Sequence, residues 1–302
     1  MAQLVVVASH GVTRPLGVRQ RVDLVEEFLD WGAHIRGYRP GTLRSYRNTL
    51  RRVERSCCKA LHELDEGDVV VFLRDSVLRN APSTHRLYRN VLGAFYRWAI
   101  QWDHVTENPL RRIPSRPRPE PEPKPFTVKE VRQIHEAALA LGSEYAALAA
   151  LGLYAGLRRS ELRDLRWVHF SGDMLHVRDG KGGKPRVIPA HPRLQVILER
   201  RYLHAAAFGY RTFVLQGKDG QRSSNYVGEV LWRDIRKVAG LGAGSNLHRL
   251  RHTFACAVWR GSRDLMALKD ALGHESPATV AYYVKADDPA LRVAVDSLDW
   301  GT

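Results

Sequence analysis

The last sixty residues contain the most informative stretch of the chain, His248-Arg249-Leu250-Arg251-His252, followed by Leu272-Gly273-His274 and then Tyr283. Histidine transfers protons near neutral pH, arginine binds phosphate through its planar guanidinium, and a tyrosine hydroxyl can act as a nucleophile. These side chains together suit attack on a phosphodiester. Two upstream stretches carry related residue types, Ala155-Gly156-Leu157-Arg158-Arg159-Ser160-Glu161-Leu162 and Gly180-Lys181-Gly182-Gly183-Lys184.

The chain is strongly basic along its whole length. Its 302 residues include 47 Lys and Arg against 32 Asp and Glu, which gives a net charge of +15. Residues 1–125 contribute 21 basic and 14 acidic side chains, and residues 126–302 contribute 26 and 18. This excess in both parts predicts a polyanionic partner. A GC-rich genome is the alternative explanation for so much arginine.

The cysteines and the apolar segments predict a cytoplasmic location. Cys57 and Cys58 are adjacent and do not easily bridge to each other, and with Cys256 they form no CxxC metal spacing. The apolar start at residues 1–8 is too short for a signal peptide and lacks a basic leader. No run of eighteen apolar residues occurs, so we expect no membrane span.

A proline-rich segment divides the chain. Residues 113–125 read IPSRPRPEPEPKP, with six prolines in thirteen residues. Proline at alternate positions prevents helix and favours extended polyproline II, which rises about 3.1 Å per residue. The sequence therefore predicts a short N-terminal segment at 1–20, a first domain at 21–112, this linker, and a second domain at 126–302.

Helical patterns fill the region before the linker. Apolar spacing predicts helices over Val22–Gly32, after Pro40-Gly41 with Thr42 as N-cap, over Asp68–Leu78, and from Pro82-Ser83 to Asn108-Pro109 with Trp102 on the apolar side. Arginine-bearing faces suit phosphate contacts, although a solvated surface is the usual reason for charge on any one helix. The candidate DNA-binding residues are Arg44, Arg47, Arg51, Arg86, Arg89 and Arg97.

After the linker the pattern changes from helix to strand and back. A capping box at Thr127–Glu130 opens a helix, and Ala146–Tyr154 has the composition of a buried helix. Strands at Leu165–Phe170, Met174–Arg178 and Arg186–Pro189 predict a three-stranded antiparallel meander with a glycine-rich hairpin tip. Further helices are predicted over Pro192–Ala207, Val227–Ala239, Leu247–Arg260, Ser262–Leu272, Pro277–Tyr283 and Pro289–Leu298. The expected fold is mainly α with a small antiparallel β-meander, in which an N-terminal helical domain precedes a C-terminal α+β domain.

Taken in this order and at this spacing, the four separated motifs resemble the tyrosine recombinases, the phage-integrase and Xer family of site-specific DNA strand-exchange enzymes. The resemblance covers roughly residues 22–298 and is strongest in the second half. It implies an N-terminal core-binding domain and a C-terminal catalytic domain. It also implies an enzyme that breaks and rejoins two DNA duplexes at specific short sites through a 3′-phosphotyrosyl link. Four protomers would act on two sites without a metal or a nucleotide cofactor, and an accessory directionality factor is possible.

The resemblance also assigns the nucleophile and its phosphate contacts. Tyr283 matches the nucleophile because it follows His274 by nine residues, and its neighbour Tyr282 is the alternative. Arg158 and Arg251 match the pair that clamps the phosphate, where fixed guanidinium forks suit the charge that develops on the non-bridging oxygens. His274 matches a third phosphate contact.

The remaining assignments concern proton transfer and support. Lys181 matches the general acid for the 5′-oxygen, with Lys184 as the alternative. His248 matches the histidine that helps to accept the nucleophile's proton, and Glu161 matches a carboxylate that orients the arginines. His252 is expected to be structural. A zinc pair with His248 is disfavoured because Arg249 follows where HExxH requires glutamate.

The sequence departs from the family pattern at two places. Arg249 stands where the family often has an acidic residue. The short segment at 1–20 leaves no room for the extra small domain of large phage integrases, which favours a compact integrase or Xer type. The alternatives are an Xer-type resolvase, a tyrosine transposase, a type IB topoisomerase, and a catalytically silent DNA-binding regulator.

Overall fold

The structure is a computed structural model that describes residues 23–79, 82–115, 124–178, 185–216 and 225–273, together with 280 and 283. It divides into two compact units, Met1–Arg118 and Pro119–Thr302. None of the helices within the described ranges has the length and apolar character needed to traverse a bilayer. The predictions that lie outside the described residues concern Lys181, Lys184, His274, Tyr282, the hairpin tip, most of the helix at 277–283, and the helix at 289–298.

Within its described residues, the first unit contains four α-helices, α1 (Leu24–His34), α2 (Pro40–Cys57), α3 (Glu66–Arg79) and α4 (Pro82–Gln101). The Asp23 side chain caps α1 by accepting the Val25 and Glu26 amides at 3.1 and 3.4 Å. Phe28 lies at the centre of an aromatic core, with its ring 5.6 Å from that of Phe95. The predicted all-helical character of this region is confirmed.

Three details of these helices were predicted wrongly. Arg39, not Thr42, occupies the N-cap position of α2 without a side-chain hydrogen bond, and the helix begins at Pro40 because proline suits the first helical position. Helix α4 ends at Gln101, well before Asn108-Pro109, and the chain then turns through Asp103 with a φ of 56°. Trp102 consequently leaves the apolar side of the helix and is 54% exposed.

The second unit surrounds its core with helices and carries a small sheet. Its described helices are α5 (Val128–Leu141), α6 (Ser143–Tyr154), α7 (Arg159–Asp164), α8 (Pro192–Ala207), α9 (Asn225–Val238), α10 (His248–Ser262) and α11 (Leu265–Leu272). Strands β1 (Phe170–Ser171), β2 (Met174–Val177) and β3 (Arg186–Pro189) form an antiparallel sheet in the order β1-β2-β3. Leu175 pairs with Ile188. The predicted fold class, including the meander, is confirmed.

The first predicted strand is much shorter than expected. Residues Trp167–His169 form a 3₁₀ turn, in which the His169 ring accepts the Arg166 amide at 3.2 Å. Arg166 pairs in an isolated antiparallel bridge with Phe213. The segment Leu165–His169 therefore hydrogen-bonds to the segment around Phe213 and does not extend β1.

Close packing at two glycines joins α6 to α10. A Cβ atom at Gly152 would lie 2.6 Å from Cδ1 of Leu250. Gly156 has a φ of 57°, and a Cβ atom there would overlap the Phe254 ring. Only glycine fits both the left-handed conformation and this approach. The chain that follows α6 is thereby held against α10.

The end of the linker is also fastened to α10. The Arg249 guanidinium stacks 4.0 Å from the Phe126 ring centroid, and it donates to the carbonyls of Lys124 and Pro125 at 3.0 and 3.3 Å. The Phe126 amide donates to Thr253 Oγ1 at 2.8 Å. The residue that departs from the family pattern, Arg249, therefore has a structural role in this chain.

Gly156 and Gly172, which share a left-handed backbone conformation, give a matched test of the packing between α6 and α10. Gly156→Ala should lower the free energy of unfolding by about 2–4 kcal/mol, because backbone strain adds to the overlap with Phe254. Gly172→Ala has a similar φ of 60° with no atom within 4 Å, and it should cost only about 1 kcal/mol. Urea unfolding of the full chain measures both. Equal losses would show that the contact with Phe254 does not contribute.

Candidate active site

Arg158, one of the two arginines expected to clamp the phosphate, lies at the turn between α6 and α7. Its backbone amide donates to Glu161 Oε2 at 2.9 Å, and its Nη1 donates to Glu161 Oε1 at 2.8 Å. The first of these bonds is the one that the N3 glutamate of a capping box makes, and it caps the N-terminus of α7. The Arg158 side chain is only 17% exposed. One carboxylate therefore fixes both the backbone and the guanidinium of Arg158.

Arg251 projects from α10 into the same region and is 2% exposed. Its guanidinium donates to the carbonyls of Gly156 and Leu272 at 2.5 and 2.6 Å. Burial, followed by the neighbouring Arg158 charge, lowers the pKa of Arg251 to about 9, although the Glu161 carboxylate 3.9 Å away acts in the opposite direction. Arg251 remains a cation at neutral pH.

Arg186 on β3 completes the group, and the sequence interpretation missed it. Its Nη1 and Nη2 donate to the two Glu161 oxygens at 3.0 and 2.7 Å, and its Nε donates to the Ala271 carbonyl at 3.1 Å. A signal was present, because side chains two apart on a strand share a face. Arg186 therefore shares the buried face of β3 with Ile188.

Glu161 lies between these guanidiniums, with its side chain 1% exposed. Burial would raise the pKa of Glu161, but the hydrogen bonds and charge of Arg186, the Arg158 amide and the Arg251 charge together lower it to about 2. The carboxylate is thus ionised throughout the neutral range. Three guanidiniums with one carboxylate leave an excess of two positive charges, which suits a phosphate.

His248 opens α10 on the exposed side of this cluster. Partial loss of water around its ring, together with the charges of Arg251 and Arg158, lowers the pKa of His248. The imidazole is therefore neutral near pH 7 and able to accept a proton. Its ring centroid lies 4.7 Å from that of His252 in an edge-to-face arrangement.

Tyr283 is buried next to the same helix. Its ring is 1% exposed and packs with Phe254, Trp259 and Leu268, and its hydroxyl lies 3.0 Å from His252 Nδ1. Burial, then the His248 and arginine charges, lowers the pKa of His252 to about 4. The sequence interpretation gave His252 a structural role and did not anticipate this contact with the hydroxyl.

Two family models match the chain, and together they span both units. The phage integrase family model matches residues 124–289, and the N-terminal SAM-like domain of phage integrases matches residues 24–104. The chain belongs to the phage integrase family of tyrosine recombinases. It is therefore a site-specific recombinase, and a 3′-phosphotyrosyl mechanism is characteristic of this family.

Curated tyrosine recombinases are similar over nearly their full length. XerC of Rhodospirillum centenum is 31% identical over 296 residues, which cover 90% of this chain and 86% of that protein. A tyrosine recombinase of Thermosipho africanus is 26% identical over 285 residues, which cover 91% of this chain and 99% of that protein. This tyrosine recombinase therefore spans the length of both relatives.

Solved structures share the fold. A lambda integrase (75–356) dimer bound to a COC′ core site has a TM-score of 0.71 at 20% identity, over 85% of this chain and 95% of that one. XerH bound to palindromic difH substrate, in a post-cleavage complex, has a TM-score of 0.72 at 18% identity, over 90% of this chain and 84% of that one. The architecture of this recombinase thus recurs in relatives of low sequence identity.

The predicted DNA-binding arginines of the first unit differ in what they contact. Arg47 donates to both Glu26 oxygens at 3.0 and 2.7 Å. Arg51 pairs with Asp23, with Glu26 and with Glu54. These two guanidiniums are therefore already neutralised by carboxylates of the same unit.

The other four arginines lie on α2 and α4. Arg89 donates through Nε and Nη2 to the Ile113 carbonyl at 3.2 and 2.6 Å, which gives it a structural role at the end of the unit. Arg86 is half-buried, whereas Arg44 and Arg97 are exposed.

The low pKa of Glu161 predicts a specific loss of stability in acid. A carboxylate whose folded pKa is about 2 stabilises the fold above its usual pKa, and this contribution disappears as the pH falls from about 4.5 to 2. Glu161→Gln should therefore cost about 3 kcal/mol at pH 7 and progressively less toward pH 3. Urea unfolding across this range measures the difference. The exposed Glu199→Gln on α8 is the control, and a pH-independent cost for Glu161→Gln would contradict the prediction.

The burial of Tyr283 predicts that its ring resists chemical modification in the free protein. Treatment with tetranitromethane, followed by peptide mass spectrometry, should nitrate Tyr202, which is 40% exposed, much faster than Tyr283, which is 1% exposed. The expected ratio of rates is at least about tenfold. Comparable rates would mean that Tyr283 is accessible in the absence of DNA.

Proposed function

We propose that this recombinase cleaves duplex DNA with Tyr283 as the nucleophile and with Arg158 and Arg251 as the phosphate clamp. The observation that carries the proposal is the positively charged cluster around Glu161 beside the tyrosine. The Tyr283 hydroxyl lies 3.0 Å from Nδ1 of His252, the residue that follows Arg251 on α10. A phosphate bound to Arg251 would therefore lie next to the nucleophile.

In the proposed step, the Tyr283 oxygen forms a bond to the scissile phosphorus and the bond from phosphorus to the 5′-oxygen breaks. The product is a 3′-phosphotyrosyl ester and a free 5′-hydroxyl. Arg158 and Arg251 neutralise charge on the non-bridging oxygens. Lys181 is the proposed donor of the proton to the 5′-oxygen. Attack by a 5′-hydroxyl from the partner duplex reverses the step and restores the tyrosine.

The proton of Tyr283 is assigned to His248, with His274 as a further phosphate contact. His252 touches the hydroxyl, but its pKa of about 4 makes it a weak base at neutral pH. Neutral His248 lies beside the arginines that bind the phosphate. His252 is therefore proposed to hold the phenol before attack, and His248 to take the proton during attack.

The proposed partner is double-stranded DNA that carries specific sites, bound by an oligomer. The basic charge of both parts of the chain supports a polyanion, and lambda integrase has been solved as a tetramer bound to a Holliday junction. We propose the same number of protomers here. The similarity to XerC over 90% of this chain supports a compact recombinase of the Xer or simple-integrase type. A directionality factor and a cytoplasmic location remain predictions.

In the first unit, exposed Arg44 and Arg97 are the proposed phosphate contacts. Arg47 and Arg51 would have to leave carboxylate partners, and Arg89 would have to leave a carbonyl. A guanidinium that gives up an existing ion pair to bind a phosphate contributes less binding free energy than a solvated guanidinium that pairs with the same phosphate. The six predicted arginines are therefore not equivalent.

The nucleophile can be tested with a nicked site that traps the covalent intermediate. Candidate sites come from repeats that flank the gene, and the adduct is detected as a protein–DNA band in a denaturing gel. Tyr283→Phe should lose the adduct completely, and Tyr282→Phe should keep it. Arg158→Lys and Arg251→Lys should each slow its formation by about 100-fold or more, because ammonium does not reproduce the fork.

An adduct that persists in Tyr283→Phe would overturn the assignment of the nucleophile. Relaxation of arbitrary supercoiled plasmids by the wild type would instead favour the topoisomerase alternative. DNA binding without any adduct would favour the silent regulator.

A further inference from the structure

The last turn of α11 presents three consecutive backbone carbonyls to the three buried guanidiniums. The pairs are Arg186 Nε with Ala271 at 3.1 Å, Arg251 Nη2 with Leu272 at 2.6 Å, and Arg158 Nη2 with Gly273 at 3.4 Å. The unpaired carbonyls at a helix C-terminus carry partial negative charge and favour cations. The three arginines are thus aligned by one stretch of backbone.

All three guanidinium nitrogens of Arg186 are engaged within the protein. Its Nη1 and Nη2 are bound to Glu161, its Nε is bound to Ala271, and its side chain is 5% exposed. The Arg158 side chain, by contrast, is 17% exposed. The Arg186 guanidinium is therefore directed at protein groups, and it acts in the site through the groups that it holds.

We propose that Arg186 is a positioning residue for phosphoryl transfer, which sets the geometry of the phosphate-binding arginines through two contacts. One contact is the fork to Glu161, the carboxylate that fixes the amide and the guanidinium of Arg158. The other is the bond to Ala271, in the turn that also binds Arg251 and Arg158. The inference rests on the proposed function, because it assigns Arg186 to that same site.

The packing of Gly273 against Arg186 also supports the positioning role of Arg186. It has a φ of 60°, and a Cβ atom there would lie 2.9 Å from Cδ and 3.1 Å from Nη1 of Arg186. The Arg186 side chain therefore occupies the space that glycine leaves open. This packing fixes the backbone immediately before His274, the predicted third phosphate contact.

Substitution by lysine tests geometry separately from charge. Lysine keeps the positive charge but has one nitrogen, so it cannot bind both Glu161 oxygens and Ala271 in one plane. Arg186→Lys in the full chain should bind site DNA within about twofold of wild type and form the covalent adduct about 10- to 100-fold more slowly, because small misplacements of binding groups slow catalysis by this amount. The matched control is Arg200→Lys on the exposed surface of α8, which should not change the rate.

A methylphosphonate at the scissile position separates positioning from general loss of structure. This linkage lacks the charge on one non-bridging oxygen, so it depends less on correctly placed guanidiniums. The penalty of Arg186→Lys should shrink to within about threefold on the methylphosphonate site. An equal penalty on both linkages, or an unchanged rate on the phosphate, would overturn the inference.

Failure of the proposed function can be distinguished from failure of the inference about Arg186. If the wild type forms no adduct, the proposed function itself fails; if the wild type reacts and Arg186→Lys reacts equally fast, only the role of Arg186 fails. Should Arg186→Lys not fold by thermal melting, Gly273→Ala displaces the same side chain from the opposite side. The same slow cleavage and the same rescue by methylphosphonate are then expected, and their absence would overturn the inference.

Discussion

The buried Glu161 carboxylate is the interaction on which the candidate site depends. Guanidiniums are costly to bury without a counter-charge, and the side chains of Arg186 and Arg251 are only 5% and 2% exposed. Glu161 contacts both of them and also Arg158. One carboxylate offsets part of the repulsion among three cations and leaves an excess of positive charge for a phosphate. The same contact thereby contributes to both stability and anion binding.

Distant segments of the chain meet at this carboxylate because backbone packing brings them there. Gly152 and Gly156 allow α10 to approach α6, which places Arg251 next to the turn that carries Arg158. The sheet brings Arg186 to the same point from β3, and the end of α11 closes the group with its carbonyls. Substitutions that remove no functional side chain, such as Gly156→Ala, therefore change the site through the fold.

Much of this arrangement could be predicted from the sequence, because the residue types and their spacing are local features. The family resemblance assigned Arg158 and Glu161 to one site, where their side chains are in contact, and helix α8 was predicted residue for residue. Arg186 was missed because an arginine in a short strand normally indicates an exposed face, and only tertiary contacts reveal its buried partners. The contact of His252 with Tyr283 joins residues 31 apart through packing that no periodicity encodes.

The position of Tyr283 adds a constraint on when such a site can react. Tyr283 is 1% exposed and belongs to the buried cluster that contains Trp259 and Leu268. Under the proposed function, attack requires the ring to leave this cluster and the hydroxyl to leave His252. Exposing an aromatic ring costs about 2–3 kcal/mol, and the lost hydrogen bond adds about 1 kcal/mol. Under the proposed function, binding energy from DNA or from a second protomer offsets this cost before Tyr283 attacks.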